Sequence, residues 1–160
     1  MHRLALMMFS GILVSLCFTT SLHAQSSDAQ TTMDALTSER ILDILEAEGW
    51  TVEATEGMTQ EDVEAIADEL QLDVQREILE MQTLQGWKEM EGWFLVVSRI
   101  RVSEAVYDLD GVRFYDPLMG VYYGVGDTEV SVSCMDIEMF EDDETCSNAV
   151  LDTLLAHTAP

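Results

Sequence analysis

Basic side chains are scarce in this chain. Seven lysines and arginines stand against 31 aspartates and glutamates, a formal net charge of −24. That balance argues against nucleic acid and anionic membrane as partners, because both need a positive protein surface. It admits a basic protein, a polycation or a divalent cation. It also fits an acidity that serves solubility alone. Histidine is scarcer still: His2 and His23 lie near the start and His157 near the end. A Ser-His-Asp or Cys-His catalytic arrangement therefore lacks a well-placed base. No phosphate-cradling glycine motif and no H-E-x-x-H helix occurs. Paired carboxylates for glycoside hydrolysis need a defined separation in space, and sequence does not set one. The chain reads as a non-enzyme.

Long apolar runs are missing beyond the first residues. Leu4 to Phe18 is charge-free, follows His2 and Arg3, and leads to Ser21-Leu22-His23-Ala24. Those are the three parts of a secretory signal. The run falls short of the roughly 20 residues of an ordinary transmembrane helix. Leu16 is bulky where a lipoprotein signal needs a small residue before its cysteine, which disfavours lipid attachment at Cys17. The expected organisation is a signal peptide over residues 1–24, a flexible leader over 25–36 and a single α+β domain over 37–160. The expected location is periplasmic or extracellular, after cleavage near Ala24, and the expected state a monomer. Cleavage removes Arg3 and none of the acids.

Cysteine is sparse too. Cys17 leaves with the signal, so Cys134 and Cys146 remain, and two cysteines in an oxidising compartment pair. They are not a C-x-x-C motif, which disfavours thioredoxin-like redox work.

What the chain does have is a β-rich stretch from Trp93 to Cys134, with alternating apolar residues broken by turn dipeptides. Asp110-Gly111 is a type I′ hairpin signal and sets Leu109 opposite Val112, Asp108 opposite Arg113 and Tyr107 opposite Phe114. Gly126-Asp127 fits a type II′ turn and sets Val125 opposite Thr128, Tyr123 opposite Val130 and Val121 opposite Val132. Tyr122, Gly124, Glu129, Ser131 and Ser133 then share a wetter face. Pro117 and Gly120 shape the link between the hairpins. Phe94, Val96, Ile100 and Val102 share one parity while Tyr107 and Leu109 have the other, so a bulge or break is expected at Ser103-Glu104-Ala105. Arg99 and Arg101 read as a solvated face.

Before this stretch, Thr37 or Ser38 caps a helix that buries Ile41, Ile44 and Leu45 and ends at Gly49. Trp50, Val52 and Ala54 alternate as a short strand. Ile41 to Trp50 is similar, in its helix–Gly–aromatic order, to the opening of small exported PepSY-type domains. That resemblance spans about ten residues and implies no ligand or activity. Thr59 caps a second helix whose stripe runs through Val63, Ile66, Leu70, Val74, Ile78, Met81 and Leu84. After the stretch, Ser147 and Asn148 are caps for a last helix burying Val150, Leu151, Leu154 and Leu155. The expected fold is α+β: a four-stranded antiparallel meander packed by two N-terminal helices and one C-terminal helix.

Two candidate sites follow. Glu138, Glu141, Asp142, Asp143 and Glu144 form an acidic loop between the cysteines, whose carboxylate oxygens suit calcium. The spacing of an EF-hand is absent. Met135, Met139 and His157 form no recurring copper motif. Trp87 and Trp93 plug one end of the core or line a groove for a partner. The expected function is an exported, non-catalytic interaction module binding a basic protein. The alternative is calcium binding or buffering by the Cys134–Cys146 loop, with no other cofactor.

Overall fold

The computed structural model describes residues 28–55, 59–62, 64–65, 77–88, 91–117, 120–139 and 141–158. The expected signal peptide and residues 66–76 of the expected second helix lie outside that set. Among the described residues no helix is long and apolar enough to cross a membrane.

The architecture is α+β, with six strands rather than four. They are β1 (Thr51–Ala54), β2 (Ile78–Lys88), β3 (Trp93–Val102), β4 (Val112–Asp116), β5 (Gly120–Val125) and β6 (Thr128–Asp136). All pair antiparallel, in the order β1-β2-β3-β6-β5-β4. Helices accompany them: α1 (Asp28–Ala35), α2 (Ser38–Ala47) and α3 (Glu144–Ala156), and residues 60–62 and 64–65 are helical as well.

The largest correction is β2. Ile78, Met81 and Leu84 belong to a strand, not to the end of a long helix. A register shift lies between Ile78 and Glu80, where β2 pairs with β3. The shift puts Ile78 and Met81 on one face, three residues apart, which mimics a helical interval. Leu84 faces the other way, opposite Val97. Thr59 does open a helical turn, with Asp62 N–H donating to its hydroxyl at 3.2 Å.

The second correction concerns order. β3 pairs with β6, not with the strand that follows it. Residues 103–111 leave the sheet, cross the tip of the β5–β6 hairpin and deliver β4 to the far edge. The N–H groups of Val106 and Tyr107 both donate to the Gly126 carbonyl, at 2.7 and 2.9 Å. This is a Greek-key path, not a simple meander. Asp110-Gly111 does turn, with Gly111 at φ +88° and its N–H donating to Asp108 O. It joins no hairpin, so the pairs expected across it do not form. The parity conflict is resolved by the break, since β3 ends at Val102. The register expected across Gly126-Asp127 holds: Val125 faces Thr128, Tyr123 faces Val130 and Val121 faces Val132.

Helices cover one face of the sheet. Leu95, Val97, Val130, Val132 and Cys134 project towards Met33, Ile41, Leu45, Leu151 and Leu154 and form the main core with them. Burying each such aliphatic side chain stabilises by about 1.5–3 kcal/mol. α1 is part of this layer. Met33 and the adjoining Leu36 are fully buried, so a helix stands where an irregular leader was expected. Thr37 is the N-cap of α2, accepting from Arg40 N–H. α3 starts earlier than expected: its cap is Asp143, and Ser147 is already inside the helix.

The opposite face carries Trp87, Phe94, Val96, Ile100, Phe114 and Tyr122, from the same registers. β3 is thus apolar on both faces, as a central strand requires. The wetter face expected for Tyr122, Gly124 and Glu129 is not wet. Tyr122 stacks on Phe114 at 4.7 Å and is 1 % exposed. The Tyr107 ring covers Gly124, and its hydroxyl donates to the buried Glu129 carboxylate. Arg99 is a further correction. It is buried rather than solvated, and its guanidinium reaches Glu80 at 3.3 Å.

Candidate functional site

A cleft of about 200 Å³ opens at one end of the helix-covered face. Its walls come from three places. The last turn of α2 brings Leu45, and Glu48 follows as the C-cap. Gly49, at φ +84°, reverses the chain so that Trp50 N–H donates to Leu45 O at 3.0 Å. Trp50 therefore lies against the cleft before β1 begins. The end of the β2–β3 hairpin adds Lys88 and Trp93, which sit opposite each other and share the helix-side face. α3 adds Cys146 and Val150, one turn apart.

Lys88 is the only lysine in the chain. Its ammonium lies 5.0 Å from the centre of the Trp50 ring, a cation–π placement. Glu91 completes the contact at 4.0 Å. Trp50 belongs to the core cluster and keeps only 7 % exposure. The cleft thus has aromatic walls, carboxylates at Glu48 and Glu91, and one cation that belongs to the protein itself.

The two tryptophans singled out from sequence do not meet here. Trp93 lines the cleft, whereas Trp87 points to the other face and packs on Phe94 at 5.8 Å. In an antiparallel hairpin Lys88 pairs with Trp93 and Trp87 with Phe94, so alternation sends them apart. Trp50 is the cleft residue that sequence reading treated only as strand. Its signal was the Gly49 reversal, whose direction is set by α2 and is not visible in the pattern of residues.

The cysteines pair as expected. The Cα atoms of Cys134 and Cys146 are 5.7 Å apart, with sulfurs bonded, and the bridge spans 12 residues of sequence. Cys134 is fully buried at the end of β6 and Cys146 stands in the first turn of α3. The bridge ties sheet to helix beside the cleft.

Within the bridged loop the acids have separate tasks. Asp136 accepts from the N–H groups of Glu138 and Met139, at 2.8 and 3.1 Å. Asp142 accepts from the hydroxyls of Ser133 and Ser147, each at 2.9 Å. Asp143 caps α3 by accepting from Cys146 N–H at 2.8 Å. Ser147 itself accepts from Cys134 N–H at 2.8 Å. Glu138, Glu141 and Glu144 are exposed. Among the described residues no three His, Cys, Asp or Glu side chains are grouped to hold a metal ion. Met139 is 65 % exposed, and His157 bonds to Thr153 O at 2.8 Å.

Burial pushes the Asp142 carboxyl above its usual range, and the Ser133 and Ser147 hydroxyls partly offset the shift. The Tyr115 phenol is raised by burial and by the charge of Asp142. Burial also raises the Tyr122 phenol, with Asp116 and Asp142 adding to it. Asp142 with Ser133 and Ser147 forms a half-buried polar hub beside the bridge, and the two serines are its unforeseen members.

No protein-family model, curated protein or solved structure matches this chain.

Proposed function

We propose that this protein is an exported, non-catalytic interaction module that engages a basic protein partner. The export reading rests on the signal pattern of residues 1–24. The partner reading rests on one observation, which is how the chain's own cations are distributed. Arg99 and Arg101 both turn to Glu80, at 3.3 and 3.8 Å. Arg113 reaches Asp152 at 2.7 Å, and Lys88 reaches Glu91 at 4.0 Å. Arg40 donates to a backbone carbonyl, that of His157. The described basic side chains are spent on a handful of partners, in a protein with 31 acids. The surplus negative field attracts and orients a positive surface.

The test is calorimetric titration with octalysine. Binding is expected at about 10 mM ionic strength, falling steeply by about 150 mM, as the Debye length shortens from roughly 30 to 8 Å. Absence of binding at the lower ionic strength would overturn the reading.

A further inference from the structure

We infer that the Trp50–Trp93 cleft receives a single lysine or arginine side chain of the basic partner, and that Lys88, in the wall of the cleft, competes for the Trp50 face. The inference deepens the basic-partner reading and rests on it.

Three observations carry it. The first is size. A volume of about 200 Å³ is below the roughly 300–1,000 Å³ of sites for drug-sized ligands, and suits one side chain. The second is chemistry. An indole face flanked by carboxylates is what a long cationic side chain needs: stem against the aromatic, charge against the acid. Trp50 and Trp93 supply the first, Glu48 and Glu91 the second. The third is that one wall of the cleft already shows this arrangement. The ammonium of Lys88 sits 5.0 Å from the Trp50 ring centre and 4.0 Å from Glu91.

Lys88 is well placed to give way. It sits at the last position of β2, its side chain is 23 % exposed, and its ion pair is long. When it swings outward, the face of Trp50 opens to an incoming cation. Lys88 thus sets a threshold. A neutral side chain gains nothing by displacing it, whereas a cation replaces its contacts one for one.

The experiment follows the indole N–H signals of Trp50, Trp87 and Trp93 by NMR. The probes are Ac-Gly-Lys-Gly-NH2 and the same tripeptide with the lysine amine acetylated. The charged peptide is expected to shift Trp50 and Trp93 and leave Trp87 in place; the acetylated one should shift none. Lys88→Ala should tighten binding of the charged peptide by roughly tenfold, the equivalent of one such contact. Lys88→Gln serves if the alanine variant does not fold. Arg101→Gln removes the same charge away from the cleft and should change affinity by less than about twofold. A Lys88 variant that binds no more tightly than Arg101→Gln, or shifts confined to Trp87, would overturn the inference. Octalysine separates the two readings. If it binds in a salt-dependent way without moving Trp50 or Trp93, the cleft inference falls and the basic-partner reading stands. If it fails to bind at low ionic strength, the basic-partner reading falls whatever the tripeptide does.

Discussion

Tyr107 packs its ring directly on the backbone of Gly124: a Cβ placed on that glycine would stand 2.5 Å from Tyr107 Cδ2. This contact seats the segment that crosses from β3 to β4. Gly124→Ala is therefore expected to cost about 1–3 kcal/mol by overpacking. Tyr107→Ala in the same chain should recover part of that cost, because the two residues are coupled. Urea unfolding of both single variants and the double variant measures this. Additive effects would show that the contact is slack.

The Cys134–Cys146 bridge should contribute roughly 3 kcal/mol, given the loop it closes. The double variant Cys134→Ala/Cys146→Ala is expected to unfold at a correspondingly lower urea concentration than the oxidised protein. Equal midpoints would mean that the core packing of Leu151 and Leu154 and the Ser133–Asp142–Ser147 bonds hold α3 to the sheet without the bridge.

The start of α3 predicts a contrast. Asp143→Ala removes the N-cap and should cost about 1 kcal/mol. Asn148→Ala, at a residue once expected as a cap, should stay within about 0.5 kcal/mol. Its amide donates to Glu144 O and accepts from the Arg113 guanidinium, both at the surface. Thermal unfolding of the two variants decides which residue sets the helix.

Much of the last hairpin was legible because turn and burial agree there. Gly126 has the required positive φ, and Val121, Val125, Val130, Val132 and Cys134 on the inward face of β5 and β6 are buried and apolar. The cap at Thr37 and the strand at Trp50 were legible for the same reason: local chemistry and tertiary role coincide. β2 was not, because its bulge sets Ile78 and Met81 at a helical interval. Asp110-Gly111 misled differently. It makes the turn its residues favour, but which strand lies next to β3 is settled by packing across the tip of a hairpin 15 residues later. The cleft was half legible. Trp93 was named as an interaction residue; Trp50 and Lys88 reach it only through the folding of α2 and the hairpin.

Asp142 gives a pH signature. Burial raises its carboxyl above the ordinary 3.8, so the folded chain holds that proton more tightly than the unfolded chain. The resulting stabilisation is complete below 3.8 and is lost as pH rises through the raised value. Asp142→Asn has no proton to lose and still offers an oxygen to Ser133 and Ser147. Relative to that variant, the wild-type protein should lose stability as pH rises from about 4 through the raised value. Urea midpoints across that range test this, and parallel curves would contradict it.

Arg99 is buried, and its Nε has no hydrogen-bond partner among the described residues. Arg99→Met keeps the bulk and removes the desolvated charge, and Glu80 keeps Arg101 as a partner, so it should cost less stability than Arg99→Ala. Arg99→Ala, which leaves a void, should destabilise. Loss of stability in the methionine variant similar to that in the alanine variant would show that the Glu80 pair outweighs the cost of burying the charge.

The two outermost strands among the described residues bear on behaviour at high concentration. β1 offers four residues and includes Glu53; β4 offers five, includes Arg113 and Asp116, and runs into Pro117, which has no amide hydrogen to donate. A neighbouring chain seeking to add itself sideways finds a short, charged ladder at either margin. Fibre growth by edge-to-edge stacking is therefore opposed at both ends, and colloidal repulsion among polyanions works in the same direction.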